Sequence, residues 1–99
     1  MIINKTQENG KITFAFDGRL DTTSAPRLQE VLIPSIDEAR QIELDFTKLS
    51  YISSAGLRVL LQGQKAATAK GVSMMLSGVS DEVMEIFEMT GFVDILRII

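Results

Sequence analysis

Asp45-Phe46-Thr47-Lys48-Leu49-Ser50-Tyr51-Ile52-Ser53-Ser54-Ala55-Gly56-Leu57 is the stretch on which the fold of this chain turns. Just before and into it, Ile42, Leu44 and Phe46 alternate with Glu43 and Asp45, the period of a half-buried strand. The strand is expected to end there, a polar loop to follow, and a helix to begin at Ser53 and Ser54. Leu57, Leu60, Leu61 and Ala67 form the inward stripe of that helix, which is expected to run from Ser54 to Lys70, with Gly71 placed to stop it. A glycine inside a helix costs about 1 kcal/mol relative to alanine, so Gly63 predicts a closely packed neighbour.

Upstream, Asn9-Gly10 lies between two alternating stretches and supplies the positive φ angles that a two-residue hairpin turn requires. Residues 1–8 and 11–17 therefore read as an antiparallel pair, with Gly18 ending the second strand. Ile12, Phe14 and Phe16 give that strand one buried face. Ala25, Leu28, Val31, Leu32, Ile36 and Ala39 recur at helical spacing, so a first helix is expected from Ser24, as N-cap, to Ala39. Pro34 should kink it or end it near Ile33.

Downstream, Val72, Met74 and Leu76 make a fourth strand, and Ser80 to Thr90 a third helix with Val83, Phe87 and Thr90 on one side. The tail from Phe92 to Ile99 fits a short strand or a packed helical turn. The order β-β-α-β-α-β-α predicts an α/β fold: one domain over residues 1–99, with a mixed sheet of four or five strands covered by three or four helices. There is no internal repeat, low-complexity segment or linker.

Composition narrows the function. Of 99 residues, none is cysteine or histidine, which excludes thiol nucleophiles, imidazole bases and Cys/His zinc sites. No metal or cofactor is expected. Ten basic against thirteen acidic residues leave a net charge of −3, unsuited to holding a nucleic acid. Met1 to Gly10 lacks the apolar core of a signal peptide, and no uncharged apolar run approaches the roughly 20 residues that span a bilayer. Those features predict a cytoplasmic chain with no membrane partner.

A serine at a helix start can cap the exposed amides. The same amides and the positive end of the helix dipole can also hold a phosphate. The residues alone leave both uses open for Ser53 and Ser54. An enzymatic use is disfavoured, because no histidine or well-placed lysine would activate a hydroxyl near Asp21 or Asp45. No glycine-rich phosphate loop is present either.

With Gly18-Arg19-Leu20-Asp21-Thr22 upstream and Met89-Thr90-Gly91-Phe92 downstream, Asp45-Phe46-Thr47 and Ser53-Ser54-Ala55-Gly56-Leu57 closely resemble the anti-sigma factor antagonists of the STAS domain family. The resemblance covers essentially the whole chain. It implies a non-enzymatic switch that binds an anti-sigma factor serine kinase, is released when the kinase phosphorylates it, and is reset by a serine phosphatase; a monomer is expected, although the residues themselves do not fix the oligomeric state. The phosphoacceptor it implies is Ser54, with Ser53 as the alternative. Many relatives carry aspartate immediately before the acceptor, where this chain has Ser53. The partner surface it implies comprises Asp21, Thr22, Asp45, Thr47, Ser53, Ser54, Gly56, Leu57 and Arg58, with Gln62 and Lys65 at its border. Asp21 and Asp45 also fit capping and turn roles, and both are expected near Ser54.

A phosphate adds about −1.5 to −2 charges and three acceptor oxygens. A 100-fold loss of partner affinity needs only about 2.7 kcal/mol. Asp81, Glu82, Glu85 and Glu88 read as a solvated helix face, and Met74, Met75, Met84 and Met89 as packing residues. An alternative function from the same resemblance is a STAS subunit of an ABC-type lipid transport complex that binds its ATPase.

Overall fold

The computed structural model describes residues 1–99. Asn9 and Gly10 have φ of 52° and 80°, the paired positive values of a two-residue hairpin turn. They fold β1 (Ile2–Glu8) antiparallel onto β2 (Lys11–Leu20), with Ile2 opposite Asp17 and Glu8 opposite Lys11. Then follow α1 (Ala25–Ile36), β3 (Gln41–Ile52), α2 (Ser54–Lys70), β4 (Ser73–Ser77) and α3 (Asp81–Thr90). β2, β3 and β4 pair in parallel, giving a four-stranded mixed sheet of order β1-β2-β3-β4. Successive right-handed crossovers moving the same way across a sheet place their helices on one face. α1 and α2 accordingly pack against each other.

The core lies between those helices and the sheet. Ile12, Phe14 and Phe16 of β2, Ile42, Leu44 and Phe46 of β3, and Met74 and Leu76 of β4 are at most 2% exposed. Leu28, Leu32, Ile36, Leu57, Leu60, Val83 and Phe87 complete the same cluster from the three helices. Phe16 and Phe46 meet edge to face at 5.2 Å between centroids. The alternate residues Lys11, Thr13, Ala15, Glu43, Asp45, Ser73 and Ser77 are half-exposed. There Glu43 pairs with Lys11 at 2.8 Å and accepts from the Ser77 hydroxyl at 2.7 Å. These partners, the lysine first, hold the Glu43 carboxyl below its usual range.

Three elements differ from their sequence expectation. β2 passes through Gly18 to Leu20, and β3 continues through the expected polar loop to Ile52. The register between them shifts after Ala15 and again after Gly18, so bulges break the alternation that would have marked Lys48 to Ile52 as strand. α1 is one piece ending at Ile36 rather than Ala39. Pro34 falls in its last turn, where it removes one intrahelical bond; the chain then turns away through Asp37 N–H to Pro34 O (3.2 Å) and Glu38 N–H to Ser35 O (3.0 Å). The tail uses both expected forms: a 3-10 turn at Phe92–Asp94, then a single parallel bridge from Ile98 to Leu76. α2 and its left-handed stop at Gly71, with φ 70°, match the expectation.

Gly63 is the close approach that its position predicted: a Cβ there would lie 2.7 Å from Leu32 Cδ2 of α1. Gly56 is tighter, since a Cβ would meet Leu20 Cγ at 2.8 Å, Ile52 Cγ1 at 2.9 Å and the Leu20 carbonyl at 3.0 Å. The end of a leucine side chain can rotate, whereas a strand carbonyl cannot. Gly56→Ala should therefore lower unfolding free energy by about 1–3 kcal/mol. Gly63→Ala should change it by less, because about 1 kcal/mol of helix propensity offsets the repacking. Urea melts of the two variants followed by circular dichroism check that order.

Candidate functional site

The parallel strands β2 and β3 deliver two junctions to the same edge. Leu20 pairs with Ile52, and the Ser53 N–H donates to the Leu20 carbonyl at 2.9 Å. The turn into α1 and the start of α2 are thereby held side by side, with Gly56 flush against both strand ends.

At the α2 junction the two serines take different roles. Ser53 is the N-cap, in extended conformation, and its hydroxyl accepts from Gly56 N–H at 3.3 Å. Its carbonyl accepts the first helical bond, from Leu57 N–H, at 2.9 Å. Ser54 is the first helical residue, is exposed, and its hydroxyl makes no hydrogen bond within the protein. The N–H groups of Ser54 and Ala55 precede the first possible helical acceptor and remain unpaired. No acid occurs anywhere in α2, which carries Arg58, Lys65 and Lys70. The junction thus has a neutral cap, two free amides at the positive end of the helix dipole and no acid on its own helix.

At the α1 junction the geometry is closed instead. The Asp21 carboxylate accepts from Thr23 N–H at 3.0 Å and Ser24 N–H at 3.1 Å. Ser24, expected as a helix cap, makes no side-chain bond to α1. Its hydroxyl donates to the Arg19 carbonyl at 2.7 Å and accepts from Asp21 N–H at 2.9 Å. Thr22 is exposed on this turn. Arg19 lies over the Tyr51 ring at 4.2 Å and 4.0 Å from the Asp21 carboxylate. Tyr51 is 37% exposed, so an arginine and a tyrosine stand together beside the serine junction. Neither was singled out from the sequence: their partnership needs the bulged register that sets Arg19 opposite Tyr51.

Asp45 and Thr47 are not brought to Ser54. Asp45 lies in mid-strand opposite Ala15, roughly 15 Å or more from the end of β3 at ~3.3 Å per residue. Its carboxylate accepts from the Thr47 hydroxyl at 2.6 Å and Thr47 N–H at 3.0 Å, and these two, in that order, hold its pKa down. The expectation that Asp45 sits with Asp21 near the serines is corrected by the extension of β3 to Ile52. Gly56 and Leu57 are buried under the junction, while Arg58 is exposed one turn along α2 from Ser54.

A hydroxyl with no base on it is poorly equipped as a nucleophile. Residues 3–99 match the STAS domain. The chain belongs to the STAS domain family. The Anti-sigma-B factor antagonist of Listeria monocytogenes is 30% identical over 95 residues, covering 95% of this chain and 83% of that protein. Among solved structures, the anti-sigma factor antagonist SpoIIAA in its unphosphorylated form superposes with a TM-score of 0.80 at 15% identity, over 99% of this chain and 87% of that one. A sulfate transporter family protein from Wolinella succinogenes is similar at 25% identity and TM-score 0.82, over 95% and 80%. SpoIIAA establishes the likeness of fold. No helix of this STAS domain is long and apolar enough to cross a membrane.

The site carries its own acid sensitivity. Hydrogen bonding from the Ser24 amide first, then from the Thr23 amide and Ser24 hydroxyl, together with the nearby Arg19 charge, outweighs the opposing desolvation and lowers the Asp21 pKa from its ordinary 3.8. A carboxyl lowered on folding adds stability above its unfolded pKa and loses it as pH falls through the folded value. Urea midpoints measured from pH 5 to pH 2 should therefore drop below about pH 4, and Asp21→Asn should make that drop smaller while leaving the part that Glu43 and Asp45 contribute. Ser53→Ala should cost about 1 kcal/mol at neutral pH through loss of the cap, read in the same melts.

Proposed function

We propose that this STAS domain is an anti-sigma factor antagonist whose hold on its partner is set by phosphorylation of Ser54. The observation that carries the reading is the division of labour at the α2 start: Ser53 spends its hydroxyl on the cap, and Ser54 leaves its own exposed and unbonded. The names of the curated relatives support it, as does the solved phosphorylated form of SpoIIAA. The partner is an anti-sigma factor serine kinase, met in the cytoplasm by a monomer. The docking surface is the edge formed by Asp21, Thr22, Ser53, Ser54 and Arg58, with Gly56 and Leu57 fixing the helix beneath it. Asp45 and Thr47 fall outside that surface.

The chemistry follows from charge and exposure. In the kinase site the Ser54 oxygen attacks the γ-phosphorus of ATP, its proton passes to the kinase's base and ADP leaves; this needs a hydroxyl that can enter another active site, and Ser54 is exposed. The phosphate is tolerated by this domain because the free Ser54 and Ala55 amides and the helix dipole favour it. It opposes partner carboxylates and disrupts a desolvated contact, so the partner is released without unfolding the domain. A serine phosphatase then restores the binding form. The domain itself is a binding protein and a substrate, not a catalyst.

Affinity capture from the native host with Ser54→Ala and Ser54→Asp baits tests this reading. The alanine bait should recover a serine kinase of the anti-sigma type, and the aspartate bait should lose it by about 100-fold, equivalent to ~2.7 kcal/mol. Equal recovery by both baits would overturn the switch. Recovery of an ABC-type ATPase by both would assign the domain to transport and leave Ser54 a surface residue.

A further inference from the structure

We propose that Arg58 is the internal counter-charge of a phosphate on Ser54, and that phosphorylation draws this arginine off the docking surface and back along its own helix. The proposal rests on Ser54 being the phosphoacceptor. Ser54 and Arg58 are four residues apart in α2 and both exposed, so they share one helix face with Cβ atoms about 5–6 Å apart. The anionic group lies on the N-terminal side of the pair and the cation on the C-terminal side, which is the stronger order for an i, i+4 ion pair.

Arg58 is uncommitted. It takes part in none of the ion pairs of the structure, which join Lys5 to Glu38, Lys11 to Glu43, Arg19 to Asp21 and Lys70 to Asp37. With no acid in α2, nothing on its own helix competes for it. The charged groups of the neighbouring α1 turn are engaged: Arg19 is stacked on Tyr51 beside Asp21, the Asp21 carboxylate is turned into the α1 junction by two amides, and Arg27 donates to the Met1 carbonyl at 2.6 Å. Lys65 lies two turns along the helix from Arg58, out of reach of a group on Ser54.

The consequence is a switch with two parts. In the unphosphorylated domain Arg58 projects from the docking edge, free to meet a partner carboxylate. In the phosphorylated domain the same guanidinium is held by the phosphate through charge-assisted hydrogen bonds. The partner then meets a new dianion and loses a cation in one event. Ser53 sharpens the effect, because an uncharged cap leaves Arg58 a single anion to answer.

The test uses the full chain translated with phosphoserine at position 54, followed by ³¹P NMR through a pH titration. Phosphate attracted to Arg58 ionises more readily, so Arg58→Ala should raise its second pKa by about 0.3 pH unit, and about 1 M salt should abolish the difference. Arg58→Lys should keep at least half of the effect, since a point charge suffices for attraction. Circular dichroism confirms that each variant is folded. An alanine value equal to wild type, or a lysine variant indistinguishable from alanine, overturns the proposal. The measurement involves no partner, so its failure is distinct from failure of the kinase capture.

Discussion

Leu20 lies beside Ile52, and the first turn of α2 rests on that pair with no room for a Cβ at Gly56. Both junctions depend on this contact. If β2 and β3 parted at their ends, the Ser53 N–H would lose the Leu20 carbonyl, and the α1 turn would no longer stand beside the serines. Steric exclusion sets the helix height, and the hydrogen bond sets its start. Together they put Ser53 in the extended conformation that lets its hydroxyl turn back on Gly56. Ser54 is free because Ser53 is not.

That arrangement also explains how a small domain can carry a charge switch without a change of fold. The core is complete below the edge, with its largest side chains fully buried between sheet and helices. The Ser54 side chain is exposed above it. The polar groups at the two junctions are unequal: the α1 turn has its amides satisfied by Asp21, whereas the α2 start keeps two amides open. A negative group added at the first is repelled by a carboxylate already there. Added at the second, it finds unpaired donors and a helix with no acid.

Much of this was legible in residue order. The Asn9-Gly10 turn, the α2 boundaries and the close packing at Gly63 all follow from local stereochemistry, and the structure reproduces them. The second halves of β2 and β3 were not legible. Leu49 and Ile52 are both buried yet three positions apart, because bulges shift the pleat, and period-two alternation cannot reveal a strand that contains them. The same extension holds Asp45 in mid-strand away from the serines, and the same shift brings Arg19 opposite Tyr51, neither of which a period-two pattern encodes. α1 ends at Ile36, between the two expectations: the apolar period continues to Ala39, but the hydrogen bonding changes after Pro34, which shortens the helix as its proline requires.

By itself, the sequence determined the α/β class, the hairpin, the second helix and the absence of cysteine and histidine chemistry, since each depends on neighbours along the chain or on composition. It also brought two serines to one helix start. Which serine caps and which is exposed was decided by the tertiary structure. That choice depends on the Ser53 backbone angle, which is set by a carbonyl on a strand more than thirty positions away. The company kept by Asp21, the isolation of Asp45 and the freedom of Arg58 are likewise properties of register and packing, which no local pattern encodes.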